Sequence, residues 1–236
     1  MAINPTHAGN KNALIVGASR GLGLGLAREL ASRGWHVVAT SRGEAKELDA
    51  LAQGSASRIT VEHVDITDRA ASEGLARRLG DRRFDFILLN AGVYGPQNQS
   101  VASATPEEIG TLVFTNAFAP VRLARLLLPL VVNGGTIAFM SSRMGSVADN
   151  QSGGGDWYRA SKAALNTLTR SFAANEASGR PVTVLTLHPG WVRTAMGGSS
   201  APLSVEESVR GLADVIEAQR AAGHYFLDYR GHTIPW

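Results

Sequence analysis

Seven short β-rich runs alternate with segments of helical periodicity along this chain, and several of those runs are apolar throughout. They fall at residues 13–16, 35–40, 59–64, 84–89, 136–140, 182–187 and 225–227. A strand with one solvated face alternates apolar and polar residues; a continuous apolar run needs cover on both faces. Helical segments sit between the runs. Leu22, Leu26 and Leu30 recur at a spacing of four within residues 21–33, and Gly34 closes that helix. Residues 44–52 read as helix, and Thr67 or Asp68 is placed to cap the next, which reaches Leu79. Thr105-Pro106-Glu107-Glu108 has an N-cap residue, a proline at the first helical position and acids in the first turn. Residues 121–131 and 157–177 give two more helices, and Ser204 with Glu207 forms a capping box for a last one. The alternation predicts an α/β fold: a single doubly wound domain spanning residues 1–236, with a seven-stranded parallel sheet and helices on both faces. Residues 1–11 form a polar N-terminal extension.

Composition excludes several classes of chemistry. With no cysteine among 236 residues there is no disulfide framework, thiol nucleophile or thiolate metal site. The 6 histidines show no ligand spacing, so no metal is expected. The net charge of +3 comes from scattered bases, the densest being Arg77-Arg78 and Arg82-Arg83, and no nucleic-acid partner is expected. The longest strongly apolar run, residues 126–132, is far short of the ~20 residues a membrane span needs. The expectation is a cytoplasmic protein with no membrane partner. Among the 23 bases only Lys11, Lys46 and Lys162 are lysine.

Ligands of such sheets bind beyond the carboxyl ends of the strands. The first strand ends in Gly17-Ala18-Ser19-Arg20-Gly21-Leu22-Gly23. Small residues there let the backbone approach a pyrophosphate, and the following helix N-terminus faces its charge; a glycine-rich turn without a ligand is the plainer alternative. The second strand ends in Ala39-Thr40-Ser41-Arg42, without the carboxylate that would hold a ribose 2′-hydroxyl. Arg42, Arg20 and the Ser41 hydroxyl instead suit a 2′-phosphate, so NADP(H) is the expected cofactor. Two solvated surface arginines are the alternative.

Tyr158 and Lys162, four apart at the start of a long helix, share one face. A phenol with an ordinary pKa near ~10 is a poor proton carrier at neutral pH, and a neighbouring ammonium favours its phenolate. By itself such a pair is more often a surface feature of a helix.

Taken in order, Gly17-x-x-x-Gly21-x-Gly23, Asn90-Ala91-Gly92, the serine pair Ser141-Ser142, Tyr158-x-x-x-Lys162 and Pro189-Gly190 resemble a short-chain dehydrogenase/reductase, which is a Rossmann-type fold. The resemblance covers the chain from about Asn12 onward. The segments 141–146, 188–194 and 227–236 are similar to the branch holding C-factor-like proteins and sniffer carbonyl reductases. The resemblance implies that Tyr158 passes its proton to a substrate carbonyl oxygen as hydride arrives from the nicotinamide. It implies that Lys162 lowers the Tyr158 pKa and holds the ribose, that Ser142 binds the substrate oxygen and that Asn116 anchors a relay water. It places Asp65 and Ile66 at the adenine, Asn90, Ala91 and Gly92 along the nucleotide cleft, and Pro189, Gly190, Val192 and Thr194 at the nicotinamide end. Ser141 stays open as the serine in place of Ser142, and Asp65, Asn116 and Thr194 stay open as turn or cap residues.

Two departures from the family pattern are Val16 and Leu89, where a threonine and an asparagine are common. A third is a long interval between Ser142 and Tyr158 that contains Gly153-Gly154-Gly155. The implied activity is NADPH-dependent reduction of an aldehyde or ketone by a homodimer or homotetramer. The alternatives are a cofactor-binding signalling protein with little turnover, and an alcohol dehydrogenase working in the oxidising direction.

Overall fold

A computed structural model describes residues 11–218 and 220–236. The polar extension lies outside these residues except for Lys11. The expected runs become β1 (Asn12–Val16), β2 (His36–Ser41), β3 (Ile59–His63), β4 (Phe84–Leu89), β5 (Val131–Met140), β6 (Thr183–His188) and β7 (Gly223–Asp228). They pair in parallel in the order β3-β2-β1-β4-β5-β6-β7. The chain therefore steps outward from β1 to β3 and crosses back to β4, so the loops after β1 and β4 part in opposite directions. That reversal opens a crevice at the carboxyl ends of the two strands.

Both sheet faces are covered, as the apolar runs require. On one side Leu14 and Val16 pack with Leu75 of α3 (Arg69–Leu79), Leu123 of α5 (Ala119–Leu127) and Phe172 of α6 (Asp156–Asn175). On the other, Ala13 and Ile15 pack with Leu26 of α1 (Gly21–Ser32), Leu48 of α2 (Lys46–Gln53) and Leu212 of α7 (Val205–Glu217). Phe172 meets Phe139 edge-on, with ring centroids 5.6 Å apart. Burying each such ring stabilises the fold by about 1.5–3 kcal/mol.

Helix α1 lies close to α7 because Gly25 has no side chain: a Cβ there would stand 2.6 Å from Val205 Cγ1. Arg33 then ties the two helices, reaching Asp214 at 2.7 Å and Glu217 at 2.8 Å. The capping box of α7 forms as read. Ser204 Oγ accepts from the Glu207 N–H at 3.1 Å, and Glu207 Oε2 accepts from the Ser204 N–H at 2.8 Å. Ser204→Ala is expected to cost about 1 kcal/mol of stability, measured by urea denaturation with an unchanged slope.

Several boundaries differ from the sequence reading. Asp68, not Thr67, caps α3, accepting from the Ala71 N–H at 3.1 Å. The helix read over residues 121–131 stops at Leu127, followed by a 3-10 turn through Leu130, because Pro129 brings no N–H. Residues 131–135 then join β5, with a register shift opposite Phe84 and Phe86. Edge strand β7 has six residues rather than three.

The larger correction concerns the helix opened by Thr105. It runs without a break through α4 (Pro106–Val113), a π-helical turn (Phe114–Phe118), α5 and the 3-10 turn. Residues 106–130 form a helix of 25 residues whose most apolar window of 18 has a mean hydropathy of 1.3, long and apolar enough to cross a membrane, contrary to the expectation that no segment is. However, 56% of that window is buried inside the protein, and Leu112, Leu123 and Leu127 lie in the core. Covering the sheet accounts for the apolarity.

Candidate active site

The crevice at the β1–β4 reversal holds both expected halves of the site. The turn after β1 is tethered from three sides. Gly17 donates to Thr40 Oγ1 at 3.1 Å, Ala18 donates to the Thr40 carbonyl at 2.7 Å, and Asn90 Nδ2 donates to the Gly17 carbonyl at 2.6 Å. Gly17 has φ +92°, and a Cβ there would press to 2.8 Å on the backbone of Ala91. A Cβ on Gly23 would overlap the Gly17 carbonyl oxygen and stand 2.7 Å from Asn90 Nδ2. No side chain caps α1, whose N-cap is Arg20, so the N–H groups of Gly21, Leu22 and Gly23 face the crevice end of the helix without a side-chain acceptor. A bare helix N-terminus beneath a cradle that any Cβ would fill fits a dinucleotide pyrophosphate. Thr194 reaches the same place from the far half of the sheet: its Cγ2 would lie 3.6 Å from a Cβ on Gly21.

The guanidinium groups of Arg20 and Arg42 are exposed, and among the described residues neither makes a side-chain hydrogen bond or ion pair. Ser41 does not join them as expected. It is buried, its hydroxyl donates to the Gly43 carbonyl at 2.6 Å, and it also pairs with His63 Nδ1 at 3.1 Å. Asp65 accepts from both the N–H and the hydroxyl of Thr67 through Oδ1, the turn role left open for it. Those bonds hold its carboxyl below the usual range, with the Arg42 charge contributing. Ile66 is buried, and its carbonyl accepts from Arg122 at 2.9 Å.

At the catalytic end Tyr158 and Lys162 are both buried. Lys162 Nζ donates to the Met140 carbonyl at 2.8 Å, at the end of β5, and lies 5.6 Å from the Tyr158 ring centroid. Burial lowers its ammonium from 10.5 to about 8. The Tyr158 phenol moves the other way: burial, and secondarily the neighbouring Tyr94, push it above its ordinary value. Desolvation of the phenolate sets this direction, and Lys162, with its ammonium 5.6 Å from the ring centroid, is not among the causes. At neutral pH the phenol is a loaded proton donor.

The two serines divide their roles. Ser141 Oγ donates to Asn166 Oδ1 at 2.6 Å, and Asn166 Nδ2 holds the Gly145 carbonyl at 3.0 Å. Ser142 Oγ accepts from the Met144 N–H at 3.1 Å, and among the described residues its hydroxyl proton has no acceptor. Ser142 can thus donate to a ligand oxygen; Ser141 is spent on packing.

Asn116 is fully buried in the π-helical turn. Its Oδ1 accepts from the Val93 N–H at 2.8 Å, while Nδ2 donates to the Val93 carbonyl at 2.7 Å and to Ser161 Oγ at 3.0 Å. Both Nδ2 protons are thereby used. Its backbone carbonyl lacks the α-helical donor four residues on, because that residue is Pro120. A water donating here can be held by that carbonyl.

Residues not anticipated from sequence complete the site. The Ser161 hydroxyl donates a hydrogen bond to the Tyr158 carbonyl at 2.8 Å. Gly145 admits the catalytic helix, since a Cβ there would stand 2.8 Å from the Lys162 carbonyl carbon. Tyr94 packs on Tyr158 with ring centroids 5.0 Å apart. At the far end Gly190, with φ +85°, has no room for a Cβ beside Leu203 and Tyr229; Pro189 accepts from Ser208, and Val192 bridges to Leu203.

Comparison with known proteins agrees with this arrangement. The family model for short chain dehydrogenases matches residues 11–202, and the chain belongs to that family of oxidoreductases. It is 40% identical over 156 residues to C-signal of Myxococcus xanthus, covering 64% of this chain and 92% of that protein. A carbonyl reductase from Pseudomonas aeruginosa PAO1, solved in complex with NADP, is 47% identical with a TM-score of 0.89, covering 97% of this chain and 100% of the other. The carbonyl reductase Sniffer of D. melanogaster is 31% identical with a TM-score of 0.85, covering 97% of this chain and 100% of that one.

Proposed function

We propose that this chain is an NADPH-dependent carbonyl reductase in which Tyr158 donates the proton to an aldehyde or ketone oxygen. The observation that carries this reading is the buried phenol of Tyr158 one helical turn before the buried Lys162, whose Nζ is anchored at the crevice end of β5. The bound nicotinamide would supply the hydride. Ser142 has a free proton to offer the same oxygen, which would orient the carbonyl and stabilise charge as it develops. Lys162 is anchored within reach of the Asn116 turn, since a Cβ on Gly92 would lie 3.6 Å from its Nζ and 3.2 Å from Asn116 Oδ1. From there it can hold a ribose hydroxyl and pass a proton inward to replenish Tyr158. At neutral pH the phenol is in the protonated form that reduction of a carbonyl consumes. A signalling protein with little turnover would not need this buried pair.

Arg20 and Arg42 support NADP(H) over NAD(H), as exposed guanidinium groups at a strand end that lacks a carboxylate. Arg42→Ala is expected to weaken NADPH binding by about tenfold or more, as for loss of one charge-assisted contact, while leaving NADH within about twofold. Titration calorimetry with both cofactors measures this, and equal effects on the two would count against a 2′-phosphate site.

The reading extends to a cytoplasmic homodimer or homotetramer. Phe114, Phe118 and Leu126 are exposed along one stretch of the α4–α5 helix, which supports self-association. Light scattering on the purified protein tests it.

A further inference from the structure

Helix α6 carries Tyr158 and Lys162 yet starts on Gly155, a residue with φ 66° and ψ 38° that has no side chain to cap the helix. Its first turn is capped from a distant loop. Gln99 is buried, and its Oε1 accepts from the Tyr158 N–H at 2.9 Å. Its Nε2 donates to the Pro96 carbonyl at 2.6 Å and to the Tyr94 carbonyl at 3.3 Å. Trp157 Nε1 adds a bond to the Ser100 carbonyl at 2.9 Å. One carboxamide thus joins the backbone of the proton donor to the backbone of Tyr94, whose ring lies on that donor's ring at 5.0 Å and an interplanar angle of 36°. The amide orientation follows from its partners, because the reverse would set an NH2 against an N–H and an oxygen against two carbonyls.

We infer that Gln99 is a positioning residue for the proton donor: it clamps the segment 94–99 to the first turn of α6 and so fixes the Tyr94–Tyr158 ring stack and the place of the Tyr158 hydroxyl. This rests on the reading of Tyr158 as the proton donor. The clamp accounts for two neighbouring features. Gly95 leaves room for Gln99, since a Cβ there would stand 3.4 Å from Nε2 and 3.1 Å from Leu112 Cδ2. The Tyr94 hydroxyl would lie 3.5 Å from a Cβ on Gly155, so the stack also leans on the residue that begins the helix. Among the described residues, the titratable groups beside the Tyr158 ring are Tyr94 on the loop and Lys162 on the helix.

The test uses Gln99→Met, which has a similar length, adds no charge, and offers neither an acceptor for the Tyr158 N–H nor a donor to the two carbonyls. Tyr94→Leu and the double variant accompany it. The first readout needs neither substrate nor cofactor: the Tyr158 phenol is titrated in the free protein by tyrosinate absorbance against Tyr158→Phe. Loosening the stack should move its midpoint down by about one pH unit toward that of free tyrosine in each single variant. The double variant should move it no further, because both changes release the same stack. The second readout is turnover with NADPH. A fall in kcat of about tenfold or more with KM for NADPH unchanged is expected, as for misplacement of a reacting group. An unchanged midpoint in Gln99→Met and in Tyr94→Leu overturns the inference, as do additive shifts in the double variant. Should Gln99→Met fail to fold, Tyr94→Leu alone decides: a midpoint that stays put overturns the inference. If instead Tyr158→Phe keeps full turnover, the carbonyl-reductase reading fails while the titration still reports on the clamp.

Discussion

Replacing Tyr158 by phenylalanine is expected to lower kcat for carbonyl reduction by about 10²–10⁴-fold while NADPH binds within about twofold of the parent. The ring and its packing against Tyr94 survive in phenylalanine, so only the transferable proton is lost. Single-turnover absorbance of the reduced nicotinamide measures the first quantity and fluorescence titration the second. A variant turning over at near-parental rate would remove Tyr158 from the chemistry. The pH profile supplies a companion result. With the phenol held above its ordinary value, the acid stays loaded through neutral pH, whereas the Lys162 ammonium loses its proton around 8. Reductive kcat should therefore be level below that point and fall as pH rises through it, since the charged lysine is the lower-pH form.

Gly23→Ala is expected to be nearly as severe, through binding rather than chemistry. The added methyl would overlap the Gly17 carbonyl and crowd Asn90 Nδ2 at 2.7 Å and Ala18 Cα at 2.9 Å. Two of these neighbours are backbone and the third is held at 2.6 Å by that same carbonyl, so nothing can yield without opening the turn. We expect about 1–3 kcal/mol of lost stability from overpacking and a loss of NADPH affinity of about tenfold or more. Calorimetric melting and titration measure both. Gly110→Ala is the control, because a Cβ there meets no atom within 4 Å.

The strands were legible because parallel strands covered on both faces leave unbroken apolar runs, as residues 13–16 do. What went unread depended on partners far along the chain. Ser141 and Ser142 are indistinguishable as neighbours; Asn166, 25 residues downstream, separates them by accepting the hydrogen bond of the Ser141 hydroxyl. Ser41 suited a phosphate contact until the Gly43 carbonyl claimed its hydroxyl. Gln99 and Tyr94 belong to an aperiodic loop, and the bond that gives Gln99 meaning spans 59 residues. Pro120 was the one local clue passed over. A proline four residues after Asn116 in an apolar helix signals a freed carbonyl, and the π-helical turn is found there.

The lysines of the described chain have one further consequence, for labelling. Lys11 and Lys46 are exposed, whereas Lys162 is 4% exposed. With no cysteine to compete, an amine-reactive reagent should modify the first two at once and Lys162 only as the crevice admits it. Because burial lowers the Lys162 ammonium to about 8, a far larger share of its amine is unprotonated at that pH than for an exposed lysine, and a reagent small enough to enter would find it the most nucleophilic of the three. The fraction labelled at Lys162 then becomes a clock for how often the site stands open, readable by mass spectrometry before any substrate is known.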